Sequence, residues 1–167
     1  FNNFNFTNVK FDLLICATNS NKRYELLRKV ISYYQFKYIL IEKVVFQNLK
    51  YFEKILKILY KNKIKSWVNC PRREQTIYIN IKNKIKFSNN LSIKISGKKW
   101  NIASNSIHFF DLYNFIRKNK ILFKIEYNNL KKINSKHKGF SELTGKIKFT
   151  NDKDKIIFDD SLTSKDI

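Results

Sequence analysis

Phe11-Asp12-Leu13-Leu14-Ile15-Cys16-Ala17, followed at once by Thr18-Asn19-Ser20, sets the reading of the first part of this chain. The run from Phe11 to Ala17 is apolar almost throughout, as suits a strand covered on both faces. Ser20 or Asn21 can cap a helix behind it, and Tyr24, Leu27, Val30, Ile31 and Tyr34 then recur at helical spacing. The same unit then repeats. Lys37 to Ile41 reads as a short strand, Asn48 offers a second cap, and Leu49, Phe52, Ile55, Leu56 and Leu59 draw an amphipathic stripe. Ile64 to Asn69 is a third strand. Strands near Phe11, Tyr38 and Ile64 with helices between them describe a βαβαβ half of a doubly wound parallel sheet.

Cys70-Pro71 breaks this pattern and marks a domain boundary, dividing the chain into 1–70 and 71–167. Beyond it, Glu74 to Asn83 reads as a short helix and Leu91 to Ser96 alternates as a half-exposed strand does. Ile107 to Ile116 is apolar nearly all round, which predicts a buried helix. Ile121 to Tyr127, Lys146 to Phe149 and Ile156 to Phe158 are short alternating stretches that predict antiparallel strands. The polar tail from Asp159 to Ile167 is expected to fray. The fold class is therefore α/β followed by α+β, the second part built on a mixed or antiparallel sheet.

Lys and Arg number 34 against 13 Asp and Glu, a formal net charge of +21. Such an excess usually points to nucleic acid or an anionic membrane. Here it is overwhelmingly Lys, and Lys arrives together with Asn, Ile, Phe and Tyr, the residues that A/T-rich codons specify. Arg, the better residue for bidentate phosphate or guanine contacts, is scarce. A solvated lysine-rich surface is the expectation, and nucleic acid is not the expected partner. A hydrophobic content of 43% is enough for a core and argues against a disordered chain. No apolar stretch reaches the roughly 20 residues of a membrane span, so no membrane partner is expected.

Cys16 and Cys70 do not make a disulfide framework and read as core filler in a reducing cytoplasm. Zinc spacing is absent. His108, His137 and scattered carboxylates are the only other plausible ligands, so no metal is expected. The chain contains no methionine, opens on Phe1 and has three glycines (Gly97, Gly139 and Gly145), which reads as an internal piece of a longer protein.

Ligands of open parallel sheets sit outside the carboxyl ends of the strands. Ala17, Thr18, Asn19 and Ser20 lie at such an end before a helix, where small polar side chains and free backbone N–H groups can hold a nucleotide. Taken alone, a simple helix cap is the commoner explanation of them. Lys43, beside Glu42, lies at the next strand end. There a partly desolvated lysine can exchange protons with a substrate hydroxyl, and one more surface lysine is the plain alternative. His108 and Asp111 stand three apart on the second-half helix and share a face, with Ser104 and Asn105 one turn earlier. For His108 alone, a satisfied core histidine is the simpler reading. Trp100 and Asn101 can flank a sugar ring or merely pack.

Taken in order, these segments resemble the Gfo/Idh/MocA oxidoreductases, the family of glucose–fructose oxidoreductase and inositol dehydrogenase, from about Phe11 to Ile116. Family members carry a strand ending in Ala-Thr with a cofactor-contacting turn, matched by Ala17, Thr18, Asn19 and Ser20. Glu-Lys-Pro at the next strand end is matched by Glu42 and Lys43. An Asn/Arg-bearing segment at the domain junction is matched by Asn69, Arg72 and Arg73. A helix with the active-site His and an Asp three residues on is matched by His108 and Asp111. Trp-Asn-Ile-Ala-Ser-Asn-Ser-Ile-His-Phe-Phe-Asp, from Trp100 to Asp111, looks closest to members associated with capsule and surface-polysaccharide synthesis. Three positions depart from the pattern. Val44 replaces the Pro, Ser104 a frequent Asp, and Arg23 a common His in the turn after the first matched strand. The N-terminal Gly-x-Gly-x-x-Gly loop is also absent from the chain.

The resemblance implies the C-terminal half of a Rossmann-like parallel sheet, a partial dinucleotide-binding domain over 1–70, then an incomplete substrate and oligomerisation domain over 71–167. It implies NAD or NADP as cofactor and hydride transfer to or from a carbinol carbon of a sugar or nucleotide-sugar, with Lys43 and His108 handling the proton. Ala17, Thr18, Asn19, Ser20, Arg23, Glu42 and Lys43 would border the cofactor. Arg72, Arg73, Trp100, Asn101, Asn105, His108 and Asp111 would shape the substrate side. A cytoplasmic homo-oligomer is expected from the same resemblance, and a fragment of this length is expected to be inactive alone. Two alternatives stay open: a degenerate family member serving as a binding or scaffold subunit, favoured by Val44 and Ser104, and, ranked last, a basic nucleic-acid-binding domain.

Overall fold

The computed structural model describes residues 9–85, 88–117 and 122–161. They fall into two compact units, the first ending at Cys70 and the second starting at Pro71.

The first unit runs β1 (Lys10–Cys16), α1 (Ser20–Tyr33), β2 (Gln35–Glu42), α2 (Leu49–Lys61) and β3 (Lys65–Asn69), with the strands parallel in the order β1-β2-β3. The register pairs Leu14 with Ile39, Cys16 with Ile41 and Ile41 with Val68, so these side chains share one face. Against that face pack Tyr24, Leu27 and Ile31 of α1 and Ile55 and Leu59 of α2. Leu27 and Ile39 are almost wholly buried, and each such side chain contributes roughly 1.5–3 kcal/mol. Helix α2 is capped as its sequence predicts: Lys50 N donates to Asn48 Oδ1 at 2.9 Å. The cap residue of α1 is Asn19 rather than Ser20 or Asn21, and its side chain makes no cap hydrogen bond.

The opposite face corrects the expectation for β1. Leu13 is 51% exposed, Ile15 61% and Trp67 49%, and all three lie with Tyr38 on the side away from α1 and α2. Both crossover helices cover the same face, and β1 is an edge strand, so among the described residues it is covered on one face only. A continuous apolar run shows that both faces can be buried. It does not show which elements bury them.

The second unit opens with a 3-10 turn (Pro71–Glu74), then α3 (Thr76–Ile85), β4 (Leu91–Ser96), α4 (Ile102–Arg117), β5 (Lys124–Asn134), β6 (Ser141–Thr150) and β7 (Asp154–Asp159). The sheet order is β4-β7-β6-β5, with β4 parallel to β7 and the other pairs antiparallel, so the sheet is mixed. Glu74, expected to start a helix, belongs instead to the tight turn that begins at Pro71. The second-half strands outrun their apolar stretches: β5 continues through Asn128–Asn134 on mostly exposed residues whose side chains give no hydrophobic period. Ile121, where β5 was expected to begin, and 162–167 of the tail lie outside the described residues.

Helix α4 starts at Ile102, five residues before the expected Ile107, and buries Ile102, Leu112 and Tyr113. Ile107 is 37% exposed, so the helix is covered on one side and not all round. Its apolar side packs with Ile93, Ile95, Ile147, Phe149, Ile156 and Phe158, all on one face of the sheet. Phe158 meets Trp100, Phe110 and Phe149 edge-on at 5.3–5.6 Å between ring centres, a favoured aromatic geometry.

Asp154 fastens helix to sheet. Tyr113 Oη donates to its Oδ2 at 2.7 Å, Arg117 Nε to the same oxygen at 2.9 Å, and Leu91 N to Oδ1 at 2.9 Å. Burial pushes this carboxyl up, but the donors from Arg117, Tyr113 and Leu91 together hold it below its ordinary value. Burial and the Asp154 hydrogen bond push the Tyr113 hydroxyl up to about 12. Opposite the bulge between Asn128 and Lys131, Gly145 takes φ +116°, and a Cβ there would stand 2.4 Å from Asn129 O.

Candidate functional site

Each unit carries its own share of the expected site residues. In the first unit they gather where the three parallel strands end. Ala17, Thr18 and Asn19 are exposed in the turn between β1 and α1, and Ser20 begins the helix. The Asn19 side chain, which makes no cap hydrogen bond, stands at a helix N-terminus, a fit place for a nucleotide's polar groups. Ser20 Oγ accepts from Gln47 Nε2 at 3.3 Å, and Thr18 Oγ1 lies 3.6 Å from Cys16 Sγ.

Glu42 ends β2 and Lys43 follows it, both half-buried. The Lys43–Val44 peptide bond is cis. Asn69, at the end of β3 and in register with Glu42, donates through Nδ2 to Glu42 Oε1.

Arg23 departs from the expected cofactor contact. It is 3% exposed, and its guanidinium faces inward to main-chain oxygens. Nε donates to Thr18 O at 3.0 Å and Nη2 donates to the same oxygen. Nη1 donates to Glu42 O at 2.5 Å, Val44 O at 2.6 Å and Val45 O at 3.1 Å. Burial pulls the guanidinium below its ordinary value, against the pull of Cys16 and Glu42 nearby. The signal for this was in the spacing. Arg23 stands one turn before Leu27 and next to Tyr24, on the edge of the buried stripe of α1.

In the second unit, the 3-10 turn and α4 bring the expected substrate residues together. The Arg72 guanidinium lies 4.7 Å over the Phe109 ring, a cation–π contact. Arg73 Nη1 is 3.3 Å from Asp111 Oδ1, and its Nε is 3.7 Å from Glu74. His108 is half-buried one turn before Asp111. Burial pushes the Asp111 carboxyl up, while Arg73 and His108 pull it down by less. Asp111 Oδ2 is buried with no hydrogen-bond partner among the described residues. A carboxyl so held, beside a histidine and an arginine, can exchange a proton or take a donor from a ligand.

Trp100 is placed by packing. Its indole Nε1 donates to Asp159 O at 3.0 Å, its backbone N donates to Asp160 Oδ1 at 2.9 Å, and its ring meets Phe109 and Phe158. Asn105 Nδ2 donates to Trp100 O at 2.6 Å. Asn101 takes φ +65° just before α4, a conformation asparagine tolerates. No motif or spacing points to Glu142, whose buried Oε2 accepts from Ser104 N at 3.2 Å and so serves the first turn of α4. Among the described residues no three of His, Cys, Asp and Glu come together as a metal site. Nor is any helix there long and apolar enough to cross a membrane.

No protein family's sequence pattern and no curated protein matches the chain. Solved structures do. The dehydrogenase WlbA (WbpB) from Thermus thermophilus, in complex with NAD and alpha-ketoglutarate, is 12% identical with a TM-score of 0.60, over 92% of this chain and 53% of its own. The dehydrogenase MviM from Clostridium difficile is 15% identical with a TM-score of 0.58, over 91% and 51%. The transcriptional regulator Gal80p from Kluyveromyces lactis is 13% identical with a TM-score of 0.68, over 93% and 50%. At these identities the likeness is one of fold, and the fold is one that dehydrogenases use. The chain spans about half the length of the solved structures it matches.

Proposed function

We propose that this chain is part of an NAD- or NADP-dependent oxidoreductase of the Gfo/Idh/MocA kind. Its substrate would be a sugar or nucleotide-sugar in surface-polysaccharide synthesis, oxidised or reduced at a hydroxyl or keto carbon. The observation that carries this reading is the clustering at the carboxyl edge of the parallel sheet. Thr18 in the turn after β1, Glu42 with Lys43 at the end of β2, and Asn69 at the end of β3 lie there, held by Arg23 and by the Asn69–Glu42 hydrogen bond. That edge is where open α/β sheets bind ligands.

Ala17, Thr18, Asn19, Ser20 and Glu42 would hold the dinucleotide, which when bound supplies the hydride acceptor. Lys43 would hydrogen-bond the reacting hydroxyl and take its proton as the carbonyl forms, and His108 would serve as an acid/base group. Arg72, Arg73, Asn101, Asn105 and Asp111 contribute to the substrate side. The reading includes a cytoplasmic homo-oligomer, which sedimentation analysis checks. The test of the activity is the change in reduced-nicotinamide absorbance of the complete protein with a panel of sugars and nucleotide-sugars. A substrate-dependent change supports the reading.

A second reading keeps the fold without the chemistry, as a binding or scaffold subunit. Gal80p supports it, since the same fold serves a transcriptional regulator. Val44 and Ser104 support it too, since Val44 adjoins Lys43 and Ser104 stands one helical turn before His108. It predicts dinucleotide or sugar binding with no absorbance change.

A further inference from the structure

A buried arginine normally pairs with a carboxylate, because a desolvated cation is costly. Arg23 is solvated instead by main-chain carbonyls, and the identity of those carbonyls is informative. Thr18 O belongs to the turn after β1. Glu42 O, Val44 O and Val45 O belong to the segment after β2. Glu42 O and Val44 O lie on either side of Lys43, and both accept from the same nitrogen, Nη1. The peptide group entering Lys43 and the one leaving Val44 are thus held by one planar, rigid group. The backbone of Lys43 is fixed relative to Thr18, and with it the direction in which its side chain leaves.

A lysine could not do this. Its three donors radiate from one atom, whereas the guanidinium fork spreads five over a plane. A simple anchor for α1 would not need to reach the far side of Lys43. The Asn69–Glu42 bond continues the same brace to β3 through the Glu42 side chain.

We infer that Arg23 is a positioning residue: it fixes Lys43 against the Thr18 turn, and does not itself contact the cofactor. The inference rests on the reading of Lys43 as the proton-sharing group. Misplacement of such a group by about 1 Å can cost on the order of 100-fold in turnover, so Arg23 would act on kcat while leaving dinucleotide affinity nearly unchanged.

The test reads the position of Lys43 without relying on activity. Lysines are methylated reductively with carbon-13 formaldehyde, and the Lys43 signal is assigned by its loss in Lys43→Arg. Spectra are then compared for the unchanged protein, Arg23→Lys and Arg23→Ala, with exposed Lys57 on α2 as control. The Lys43 signal should move in both variants while Lys57 stays. In Arg23→Ala, added guanidinium ion should restore it. An unmoved Lys43 signal in a variant that still melts cooperatively overturns the inference. So does loss of cooperative melting in both variants, which would make Arg23 a folding residue only. Turnover of Lys43→Ala is a separate measurement: a moved signal with unaltered turnover leaves Arg23's role intact and rejects the catalytic reading.

Discussion

Asn69 Nδ2 donates to Glu42 Oε1 at the point where the register sets the two residues side by side, and so ties the ends of β3 and β2. This bond and the Arg23 fork together hold three strand ends. Asn69→Ala should therefore cost about 1 kcal/mol of stability, with the larger effect falling on the Glu42–Lys43 segment. Thermal melting checks the first part, and dinucleotide affinity of the complete protein checks the second. Unchanged values for both would mean the bond holds nothing of consequence.

Asp154 makes the second unit sensitive to acid. Its folded-state carboxyl is held below the ordinary value, so its contribution is present above about pH 3.9, the unfolded value, and is lost as pH falls through the folded one. Asp154→Asn should cost about 3 kcal/mol or more at neutral pH, since Arg117 and Tyr113 then face a neutral amide. The penalty should shrink in acid, and melting curves across that range read it. Tyr113 sets the alkaline side. Raised to about 12, it contributes fully below about pH 10 and loses its contribution as pH climbs through the folded value.

Gly145 has no room for a side chain. With φ +116° and Asn129 O 2.4 Å from a would-be Cβ, Gly145→Ala should destabilise by about 3 kcal/mol or more. Gly139, at φ +82° with open space around it, should respond to the same change by less. A smaller loss at position 145 than at 139 would contradict this account of the β5–β6 pairing.

Asp111 should behave in the opposite sense to Asp154. Burial raises its folded-state carboxyl, so its contribution is full below about pH 3.9 and is lost as pH rises through the folded value. At neutral pH the folded protein therefore carries a disfavoured charge. Asp111→Asn should leave neutral-pH stability equal or higher while lowering any turnover, as expected when a group is kept for chemistry at the expense of stability. A clear loss of stability at pH 7 would make the Arg73–Asp111 pair structural.

The first-unit elements were legible because their signals are local. The α1 stripe, the Asn48 cap and the short β2 and β3 runs each state their own conformation in a few residues. The exposure of Leu13 and Ile15 was not legible, because an apolar run is silent about which layers cover it. The reach of β5 past Tyr127 was hidden for the converse reason: its pairing with β6 rests on main-chain bonds between exposed side chains. At the candidate site, residue types marked the strand ends and the His108–Asp111 face. The role of Arg23 depends on three guanidinium nitrogens converging on four carbonyls up to 22 residues away, and spacing alone points only to its burial. Trp100 likewise could stack on a ligand or on Phe158, and only packing separates the two.

The measurement that bears most directly on the central claim is substrate-dependent turnover of the complete protein, with and without Lys43→Ala. A change in reduced-nicotinamide absorbance with a sugar or nucleotide-sugar is expected. Turnover in the variant should fall by about 100- to 10,000-fold, with dinucleotide affinity nearly intact. Turnover in Lys43→Ala equal to that of the unchanged protein would contradict that claim.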